Sequence, residues 1–410
     1  MKIKLVSFSD TGGGAARAAY RTHKALIANN INSSMMVDEF RSGDWTVTKP
    51  WGKFGGYLRK LRPLVAAIFT KLLKTKNPVL HSPAVLPSSL HKKLNESDAD
   101  VINLHWINSE MMSIQDISKI KKPLVWTLHD MWAFCGAEHY SDDFRWRDGY
   151  KSNNRPAHEK GFDLNRFVWR MKKKWKNPIH IVVPSQWLSD CVRQSFLMRD
   201  WPVSVIPNPI DIDIWKPINS KDARSILGLP LDVPLLLFGA IGGGDDPRKG
   251  YDLLIAALQI IKNEIPRLEL VVFGQSAPRY VDGFGFKIHY VGHLYDDISL
   301  RVLYSAADVM VVPSRMEAFG QTASEAQSCG TPVVAFKVTG LLDVVEHEVT
   351  GYLANPFDVN SLATGIKWVL QDIQRLSCLS KSSRERAVRL WSYEKVASSY
   401  KELFIKLIKN

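Results

Sequence analysis

The segment from residue 309 to residue 336 constrains the fold of this chain more than any other part of its sequence. Apolar, strand-like runs lie at 309–313 and 333–336, and the short predicted helix between them begins after Gly320 and ends at Gly330. Two such strands joined by a helix form a βαβ unit, which belongs to a parallel sheet. The helix N-terminus favours a bound phosphate, because its N–H groups and the helix dipole point there. We therefore predict an α/β chain with an anion site in this unit.

Two carboxylates flank the predicted anion site. Glu317 lies in the loop before the helix and Glu325 lies about one turn into it, with seven residues between them. A few extended residues and one helical turn place the carboxylates on the order of 10 Å apart. That is about the distance from a hexose, across a diphosphate, to a ribose. The spacing favours a nucleotide sugar held at both ends; an ordinary α/β unit with two solvated glutamates is the alternative.

The wider sequence around these glutamates carries a family resemblance. E-A-F-G-x-x-x-x-E-A, from Glu317 onward, is followed by C-G-T-P-V-V-A and by a later G-x-x-D-x-V-x-x-x-x-T-G. This order and spacing resemble the E-x7-E signature of family 4 retaining glycosyltransferases, and the chain is most similar to bacterial exopolysaccharide and colanic-acid-type members. The resemblance implies an α/β protein of the GT-B fold, with two Rossmann-like domains whose parallel sheets face each other across a cleft.

The resemblance also assigns roles in this segment. It implies that Glu317 binds hydroxyls of the donor sugar and that Glu325 binds the ribose diol. The backbone of residues 318–320 is expected near the sugar, and the next two residues near the phosphates. The additional donor-binding residues implied here are Ala318, Phe319, Gly320, Gln321 and Thr322.

Strands and helices are predicted to alternate along the whole chain, which is typical of parallel sheets covered by helices. The predicted strands are 2–8, 34–37, 101–104, 124–128, 179–183, 203–206, 234–239, 268–273, 287–290, 309–312 and 333–336. A proline-rich, hinge-like segment begins at Pro207. We therefore expect an acceptor-side domain at 1–206 and a nucleotide-sugar-binding domain at 207–391. By the resemblance, a helix in 392–410 packs back on the first domain.

A glycine-rich loop follows the first predicted strand. Gly13 and Gly14 precede a helix, where missing Cβ atoms let backbone approach a ligand. The loop resembles the family's N-terminal glycine pair, which faces the donor phosphates and the acceptor. A dinucleotide fingerprint is the alternative: Gly12 and Gly14 fit it, but Arg17 replaces its third glycine. Because Asp38 can serve as the ribose-binding acid, an NAD-dependent oxidoreductase stays open.

Two histidines follow predicted strands at their carboxyl ends, where ligands of α/β proteins bind. His129 ends the segment LVWTLH, and the resemblance places it close to the donor sugar. A structural histidine is the alternative. His105 is a similar case, and with Trp106 it can line the acceptor side because an indole stacks against a sugar face.

Two cations end the loop GGGDDPRKG at 242–250. Arg248 and Lys249 can neutralise a departing diphosphate, whereas in a plain surface turn both would be solvated. Relatives usually place another arginine six residues before this lysine, where this chain has Gly243. Either Arg248 makes that phosphate contact or the donor sits differently. Glu317, His129 and Lys249 are the predicted catalytic residues.

The cysteines do not suggest a metal site. Cys135, Cys191, Cys329 and Cys378 are scattered, with no spacing typical of metal ligands. We expect no metal and no cofactor, with a UDP- or GDP-sugar as the donor substrate. The same cysteine usage fits a reducing cytoplasm.

The positive charge lies in the first half of the chain. Residues 1–210 contain 32 Lys and Arg against 18 Asp and Glu, and the remainder contains 22 against 23. A basic half implies an anionic partner. The basic, aromatic segments 53–76 and 166–176 suit an anionic lipid surface on the inner face of the cytoplasmic membrane. A solvated helix face with inward aromatics is the alternative, and nucleic acid is not expected because no binding module accompanies the charge.

These observations give one main hypothesis and two alternatives. The main hypothesis is a retaining glycosyltransferase that moves a sugar from a nucleoside diphosphate to a hydroxyl of a lipid-linked glycan in cell-surface polysaccharide biosynthesis. A non-catalytic nucleotide-sugar or lipid-binding protein of the same fold would bind without turnover. The NAD-dependent oxidoreductase would need a dinucleotide in the first domain.

Overall fold

The computed structural model describes residues 1–239, 246–277 and 285–409, and within residues 53–60 it describes the backbone and only the side chain of Arg59. The chain divides into two compact units. The N-terminal unit comprises Met1–Pro207 together with the chain from Val396 onward, and the C-terminal unit comprises Asn208–Lys395. The unit therefore changes one residue after the boundary expected at 206 and four residues after the one expected at 391.

The N-terminal unit is an α/β unit with a parallel sheet. Its strands are β1 (Lys2–Ser9), β2 (Asn32–Glu39), β3 (Val47–Thr48), β4 (Leu73–Lys74), β5 (Val101–Leu104), β6 (Leu124–Thr127), β7 (Lys160–Gly161), β8 (His180–Val183) and β9 (Val203–Val205). The main sheet has the order β3-β2-β1-β5-β6-β8-β9, and each neighbouring pair is parallel. β4 and β7 form a separate antiparallel pair. The strand order reverses beside β1, which is where ligands of such sheets bind.

Helices connect these strands. They are α1 (Gly14–Ala28), α2 (Lys53–Lys71), α3 (Leu90–Glu96), α4 (Ile114–Ile117), α5 (Arg145–Asp148), α6 (Leu164–Lys172) and α7 (Gln186–Gln194). Several begin at side-chain caps: Ser185, for example, accepts from the backbone N–H of Leu188 at the start of α7. No helix in the described parts of the chain is both long enough and apolar enough to cross a membrane.

The C-terminal unit repeats the same architecture. Its strands are β10 (Leu235–Gly239), β11 (Glu269–Phe273), β12 (Lys287–Gly292), β13 (Val309–Val312), β14 (Val333–Phe336) and β15 (Gly351–Ala354). Its helices are α8 (Ser220–Leu227), α9 (Tyr251–Ile261), α10 (Asp297–Ala306), α11 (Gln321–Ser328), α12 (Leu341–Val344), α13 (Val359–Leu370) and α14 (Ile373–Trp391). The sheet order is β12-β11-β10-β13-β14-β15, again with parallel neighbours.

Both faces of the C-terminal sheet are buried. Alternate residues of β10 point to opposite sides, so that Leu235 and Leu237 belong to one apolar cluster and Leu236 and Phe238 to the other. Continuous apolar strands of this kind are expected where helices cover both faces of a parallel sheet. The predicted α/β class with two parallel, Rossmann-like sheets is confirmed.

The strand predictions agree with the structure to within about two residues at most ends. The predictions for 101–104, 309–312 and 333–336 match β5, β13 and β14. The prediction omitted β15, in which only Gly351 and Ala354 are buried, so no clear apolar run marks it. It also omitted the short β3, β4 and β7.

The last helix, α15 (Tyr393–Lys409), begins in the C-terminal unit and continues in the N-terminal unit. Its buried side recurs at helical spacing, at Val396, Tyr400 and Leu403 among others. Within the N-terminal unit the Tyr400 hydroxyl lies 3.2 Å from Oγ1 of Thr127 on β6. This contact ties the end of the chain to the sheet of the first unit.

Candidate active site

The βαβ unit β13–α11–β14 is formed as the sequence predicts. α11 begins at Gln321, directly after Gly320, whose φ of 99° is in the left-handed region. A Cβ on Gly320 would also come within 2.8 Å of Leu341, so this turn favours glycine on two grounds. Ala318 and Phe319 are buried, whereas Gln321 and Thr322 are half-buried. The polar residues at the start of α11 are therefore partly accessible to solvent, whereas the apolar residues of the loop before it are packed in the core.

Glu317 and Lys249 form an ion pair in the C-terminal unit. The Lys249 ammonium lies 2.6 Å from Oε1 of Glu317, and the Ser314 hydroxyl donates to the same oxygen at 2.9 Å. The two charged side chains are only 23% and 16% exposed. Two predicted catalytic residues that stand 68 positions apart therefore meet. The alternative of a solvated Glu317 is wrong.

The turn that carries Lys249 is a 3-10 turn, Pro247–Lys249, followed by Gly250 in the left-handed region. Asp246 accepts from the backbone N–H of Arg248 at 3.0 Å and from its guanidinium at 2.7 Å. The backbone N–H of Arg315 donates to the carbonyl of Arg248 at 2.7 Å, which attaches this turn to the segment leading to Glu317. Residues 242–245 of the predicted loop, including Gly243, lie outside the described residues.

Glu325, the second glutamate of the motif, is more deeply buried than Glu317. Glu325 is 4% exposed, and its Oε2 accepts from the hydroxyl of Tyr304 at 3.0 Å. Tyr304 is itself fully buried. The alternative of a solvated Glu325 is therefore wrong. The sequence offered no signal for Tyr304, because it is an ordinary apolar position of α10.

The glycine loop of the N-terminal unit begins α1. Gly13 has φ 91° and precedes the first helical residue, Gly14. A Cβ at either glycine would meet no atom within 4 Å, so open space adjoins both. The backbone N–H of Gly12 donates to Oγ of Ser9 at 3.1 Å, which holds the loop after β1.

Asp38, the acid that a dinucleotide site would need, already has partners. It forms an ion pair with Arg59 and accepts from Nε1 of Trp51 at 3.2 Å. Its side chain is 11% exposed. A carboxylate engaged in this way is poorly placed to bind a ribose, and the structure therefore disfavours the NAD-dependent interpretation.

His105 and His129 lie side by side just past the ends of β5 and β6. Nδ1 of His105 is 3.0 Å from Nε2 of His129, and the ring planes are 21° apart with centroids separated by 5.3 Å. Burial lowers the pKa of His129 to about 4, although the Asp130 charge opposes this. Burial and the neighbouring His129 lower the pKa of His105 well below its usual value. Both rings are therefore neutral at neutral pH.

Asp130 organises the polar groups beside this pair. One carboxylate oxygen, Oδ2, accepts from Nε1 of Trp106 at 3.0 Å and lies 2.6 Å from Nδ1 of His139. Nε2 of His139 lies 2.8 Å from Oγ of Ser82. Burial would raise the pKa of Asp130, but the charge of His139 and the hydrogen bonds hold it below its usual value. No sequence motif predicted a role for Asp130 or His139, although Asp130 directly follows His129.

Trp106 is half-buried rather than fully open. Its ring packs edge-on against Phe8, with centroids 5.8 Å apart, and its N–H is engaged by Asp130. A small cavity is lined in part by His105, Trp106, Asn108, His129 and Asp130. The residues predicted for the N-terminal part of the site are thus neighbours, and acceptor binding at Trp106 stays a prediction.

The basic segment 166–176 needs a correction. Lys172 is fully buried, and its ammonium donates to the backbone carbonyls of Trp132, Cys135 and Gly136. Burial lowers its pKa to about 7. Trp169 is also buried, at 6% exposure. Lys172 therefore holds the segment after β6 in place and cannot contact a lipid surface.

The described residues do not bring a set of metal ligands together. Residues 1–239, 246–277 and 285–409 contain no group of three or more His, Cys, Asp or Glu side chains able to hold a metal ion. Cys135, Cys191 and Cys329 are buried, and Cys378 is exposed.

The parallel sheets, the glycine loop and the paired lysine and glutamate define a two-domain α/β protein with the GT-B type of fold. Residues 238–386 match the family model "Glycosyl transferases group 1", and residues 12–214 match "Glycosyltransferase Family 4". Together these matches span most of the chain. The chain therefore belongs to the family 4 (group 1) glycosyltransferases.

Individual relatives agree with this assignment. D-inositol 3-phosphate glycosyltransferase of Xylanimonas cellulosilytica is 34% identical over 223 residues, which are 50% of this chain and 52% of that protein. The chain spans about half the length of the curated relatives it matches.

Solved structures share the fold over the whole chain. Sucrose-phosphate synthase of Thermosynechococcus elongatus has a TM-score of 0.70 at 23% identity and covers 100% of this chain and 99% of its own. Anabaena HepE in complex with UDP-glucose has a TM-score of 0.65 at 19% identity and covers 99% and 100%. At these identities the likeness shows the fold alone.

Proposed function

We propose that this protein is a retaining glycosyltransferase that transfers a sugar from a UDP- or GDP-sugar to a hydroxyl of a lipid-linked glycan in cell-surface polysaccharide biosynthesis. The observation that carries the proposal is the half-buried ion pair of Lys249 and Glu317. Glu317 lies in the loop that leads into the N-terminus of α11. A cation and a helix N-terminus together suit a diphosphate, and a carboxylate suits sugar hydroxyls. The UDP-glucose complex of HepE, which has the same fold, supports a nucleotide-sugar donor.

In this mechanism the C-terminal unit binds the donor. The diphosphate accepts hydrogen bonds from Lys249 and from backbone N–H groups at the start of α11, and Arg248 adds a second cation. Glu317 accepts hydrogen bonds from donor-sugar hydroxyls. Lys249 is already close to neutralised by Glu317, so donor binding redistributes an existing ion pair rather than burying a new charge. Glu325 binds the ribose diol, with Tyr304 orienting its carboxylate.

The chemical step follows a front-face route. The bond from the sugar's anomeric carbon to the phosphate oxygen breaks, and the acceptor oxygen bonds to that carbon from the same face, through an oxocarbenium-like state. The acceptor proton passes to the departing phosphate oxygen. Lys249 stabilises the charge that develops on the diphosphate. His129 and the glycine pair Gly13–Gly14 contribute from the N-terminal unit, with Trp106 on the acceptor side. The ring of His105 is only 2% exposed, so we assign it no direct contact with the acceptor, against the sequence-based prediction.

The test begins with donor binding. Thermal shift against a panel of UDP- and GDP-sugars should select one donor, and that donor should then release its nucleoside diphosphate when a glycolipid acceptor is added. Proton NMR of the product should show the anomeric configuration of the donor. Binding without release would support the non-catalytic alternative, and an inverted product would contradict the retaining mechanism.

We also propose that transfer requires no metal or cofactor, because Arg248 and Lys249 supply the positive charge that a metal would supply. Turnover should persist in EDTA. A rate that falls with EDTA and returns on adding magnesium or manganese would contradict this.

The proposed membrane contact rests on an apolar patch of the N-terminal unit. One face of α2 exposes Leu64 and Ile68, at 65% and 61%. The backbone N–H of Phe162 donates to the carbonyl of Leu72, just after this helix, at 3.0 Å. Phe162 and Phe167 are 43% and 41% exposed and pack against each other. The exposed cations nearby are Lys71, Lys74 and Lys160. Apolar side chains beside cations suit an anionic membrane surface.

Vesicle flotation tests this contact and the proposed position on the inner face of the cytoplasmic membrane. The variant Leu64→Ser/Ile68→Ser should lose binding to vesicles containing phosphatidylglycerol. Ile226→Ser is the matched control, because Ile226 is equally exposed, at 68%, in the C-terminal unit. Equal binding by both variants would remove the patch from the proposal.

A further inference from the structure

His105 makes a single side-chain hydrogen bond within the described residues, and its partner is His129. The contact joins Nδ1 of His105 to Nε2 of His129 at 3.0 Å. Nε2 of His105 is buried and has no hydrogen-bond partner among these residues. His105 is 2% exposed, so its ring does not form hydrogen bonds with bulk water in place of this contact. Its polar chemistry is therefore directed at one neighbour.

The backbone fixes where these two rings lie. The N–H of His105 donates to the carbonyl of Val6 at 2.8 Å, and its carbonyl accepts from Nε1 of Trp126 at 3.2 Å. Leu128 donates to the carbonyl of Val182 at 2.8 Å, directly before His129. Since β5 and β6 are neighbouring strands, the residues that follow them must come close. The two-histidine contact is thus set by the sheet rather than by mobile loops.

A structural histidine of the same unit looks different. His23 is fully buried, and its Nδ1 and Nε2 each lie 2.8 Å from a hydroxyl, those of Ser33 and Thr46. Both of its nitrogens are therefore satisfied by the fold. Among the described residues, the hydrogen bond of the His129 ring is made at Nε2, and His129 is half-buried rather than fully enclosed. The difference indicates that Nδ1 of His129 is kept for a ligand.

A hydrogen bond between two neutral imidazoles couples their tautomers, because one of the two facing nitrogens carries the proton and the other does not. If Nδ1 of His105 carries it, Nδ1 of His129 is a donor; if Nε2 of His129 carries it, Nδ1 of His129 is an acceptor. We infer that His105 is a positioning residue, whose hydrogen bond to Nε2 of His129 holds that ring in one tautomer and orientation so that Nδ1 meets the donor sugar. This inference rests on the proposed function, in which His129 lies beside that sugar.

The tautomer can be observed directly. Long-range 15N–1H NMR spectra of the imidazoles should show His129 with one protonated and one unprotonated nitrogen, its signals being assigned by their loss in His129→Gln. In His105→Ala these two shifts should move toward a common average, whereas His180→Gln, the control, should leave them unchanged. Unchanged His129 signals in His105→Ala would overturn the inference. This measurement needs no substrate, so it decides the role of His105 even if no nucleotide sugar proves to be turned over.

A pair of conservative variants separates positioning from simple packing. The amide of His105→Asn lies near the place of Nδ1, whereas that of His105→Gln lies near the place of Nε2. Asparagine should therefore keep His129 in a single state and keep kcat within a few-fold of the parent. Glutamine and alanine should lower kcat by about 10- to 100-fold with a smaller change in the KM of the donor. Equal losses in the asparagine and glutamine variants would overturn the inference.

Discussion

The candidate groups of the two units are of opposite chemical kinds. In the C-terminal unit the candidate groups are ionised and paired: Lys249 with Glu317, and Arg248 with Asp246. In the N-terminal unit the corresponding strand ends carry His105 and His129, whose pKa values are lowered by burial. A charged site can bind a diphosphate, whereas a neutral one can order sugar hydroxyls without attracting the phosphates. Under the proposed function, the C-terminal unit therefore recognises charge and the N-terminal unit recognises hydroxyls.

The two sites also differ in how their residues are spread along the chain. The glutamates and the helix N-terminus of the C-terminal unit lie within one βαβ segment, which Arg248, Lys249 and Tyr304 join from outside it. In the N-terminal unit, His105 and His129 follow different strands, and Asp130 is joined by Ser82 through His139. The first site is local, and the second exists only once the sheet has formed.

The strongest test of the charged site is Glu317→Gln, which keeps the shape of the side chain and removes its charge. Transfer should fall by about 100-fold or more, because the variant loses its pairing with Lys249 and its full acceptor capacity for sugar hydroxyls. Release of nucleoside diphosphate measures the effect, and an unchanged melting curve shows that the fold is intact. Glu348→Gln is the control, since Glu348 is 56% exposed and pairs only weakly with His347 at 3.7 Å. Near-normal turnover of the Glu317 variant would remove the central residue of the site.

Acid should destabilise the N-terminal unit first. Burial lowers the pKa of His23 and of His129 to about 4, so the folded unit binds fewer protons than the unfolded chain. Their contribution is complete above about pH 6.5 and is lost as the pH falls toward 4, at up to about 1.4 kcal/mol per pKa unit for each histidine. In the C-terminal unit, Glu269 has a lowered pKa: burial opposes this, but the hydrogen bonds and charges of His289 and Lys287 together outweigh it. The contribution of Glu269 is therefore lost only at lower pH, as its carboxylate is protonated.

Urea unfolding at pH 7, 6 and 5, followed by tryptophan fluorescence, measures this difference. Most tryptophans lie before residue 208, so the signal reports mainly the N-terminal unit. The variant His23→Gln should show a shallower pH dependence than the parent. A free energy of unfolding that stays constant from pH 7 to pH 5 would contradict the comparison.

Gly250 tests how tightly the Lys249 turn is built. Gly250 and Gly228 have nearly equal φ angles of 67° and 65°, but a Cβ on Gly250 would collide with the backbone carbonyl of Pro313, whereas one on Gly228 would meet nothing within 4 Å. Gly228→Ala should cost only the left-handed conformation, about 1–2 kcal/mol. Gly250→Ala should cost more than about 2 kcal/mol and should also lower the rate, because Lys249 moves away from Glu317. Equal losses measured by urea unfolding would show that the turn adjusts freely.

The smallest expected effects concern the enclosed Glu325. Glu325→Ala should weaken nucleoside diphosphate binding by about 1–3 kcal/mol, as expected for a lost charged hydrogen bond. Tyr304→Phe should weaken it by only about 0.5–1.5 kcal/mol, because it removes a neutral hydroxyl that orients the carboxylate. Isothermal titration calorimetry with UDP and GDP measures both. Affinity that is unchanged in Glu325→Ala would remove the ribose contact and leave Glu325 as a structural residue.

Local and distant contacts also differ in how far the sequence predicts them. The βαβ unit around Glu317 was predicted well, because strand runs, Gly320 and Gly330 are local signals. The basic segment was misjudged at Lys172, which looks like a surface cation in sequence but lies in a ring of three carbonyls. Only residues 132–136, distant in the chain, supply those acceptors.

The amino-acid sequence by itself determined the alternating α/β architecture, the family, and the start of α11 after Gly320, because these depend on periodicity and on motifs whose residues are close together in the chain. Tertiary structure alone decided that Lys249 pairs with Glu317, that Tyr304 caps Glu325, and that His105 meets His129. Such contacts depend on which strands become neighbours and on how deeply a side chain is buried. Burial also sets the charge of the two histidines, because it lowers their pKa values. These properties therefore arise only when the chain folds.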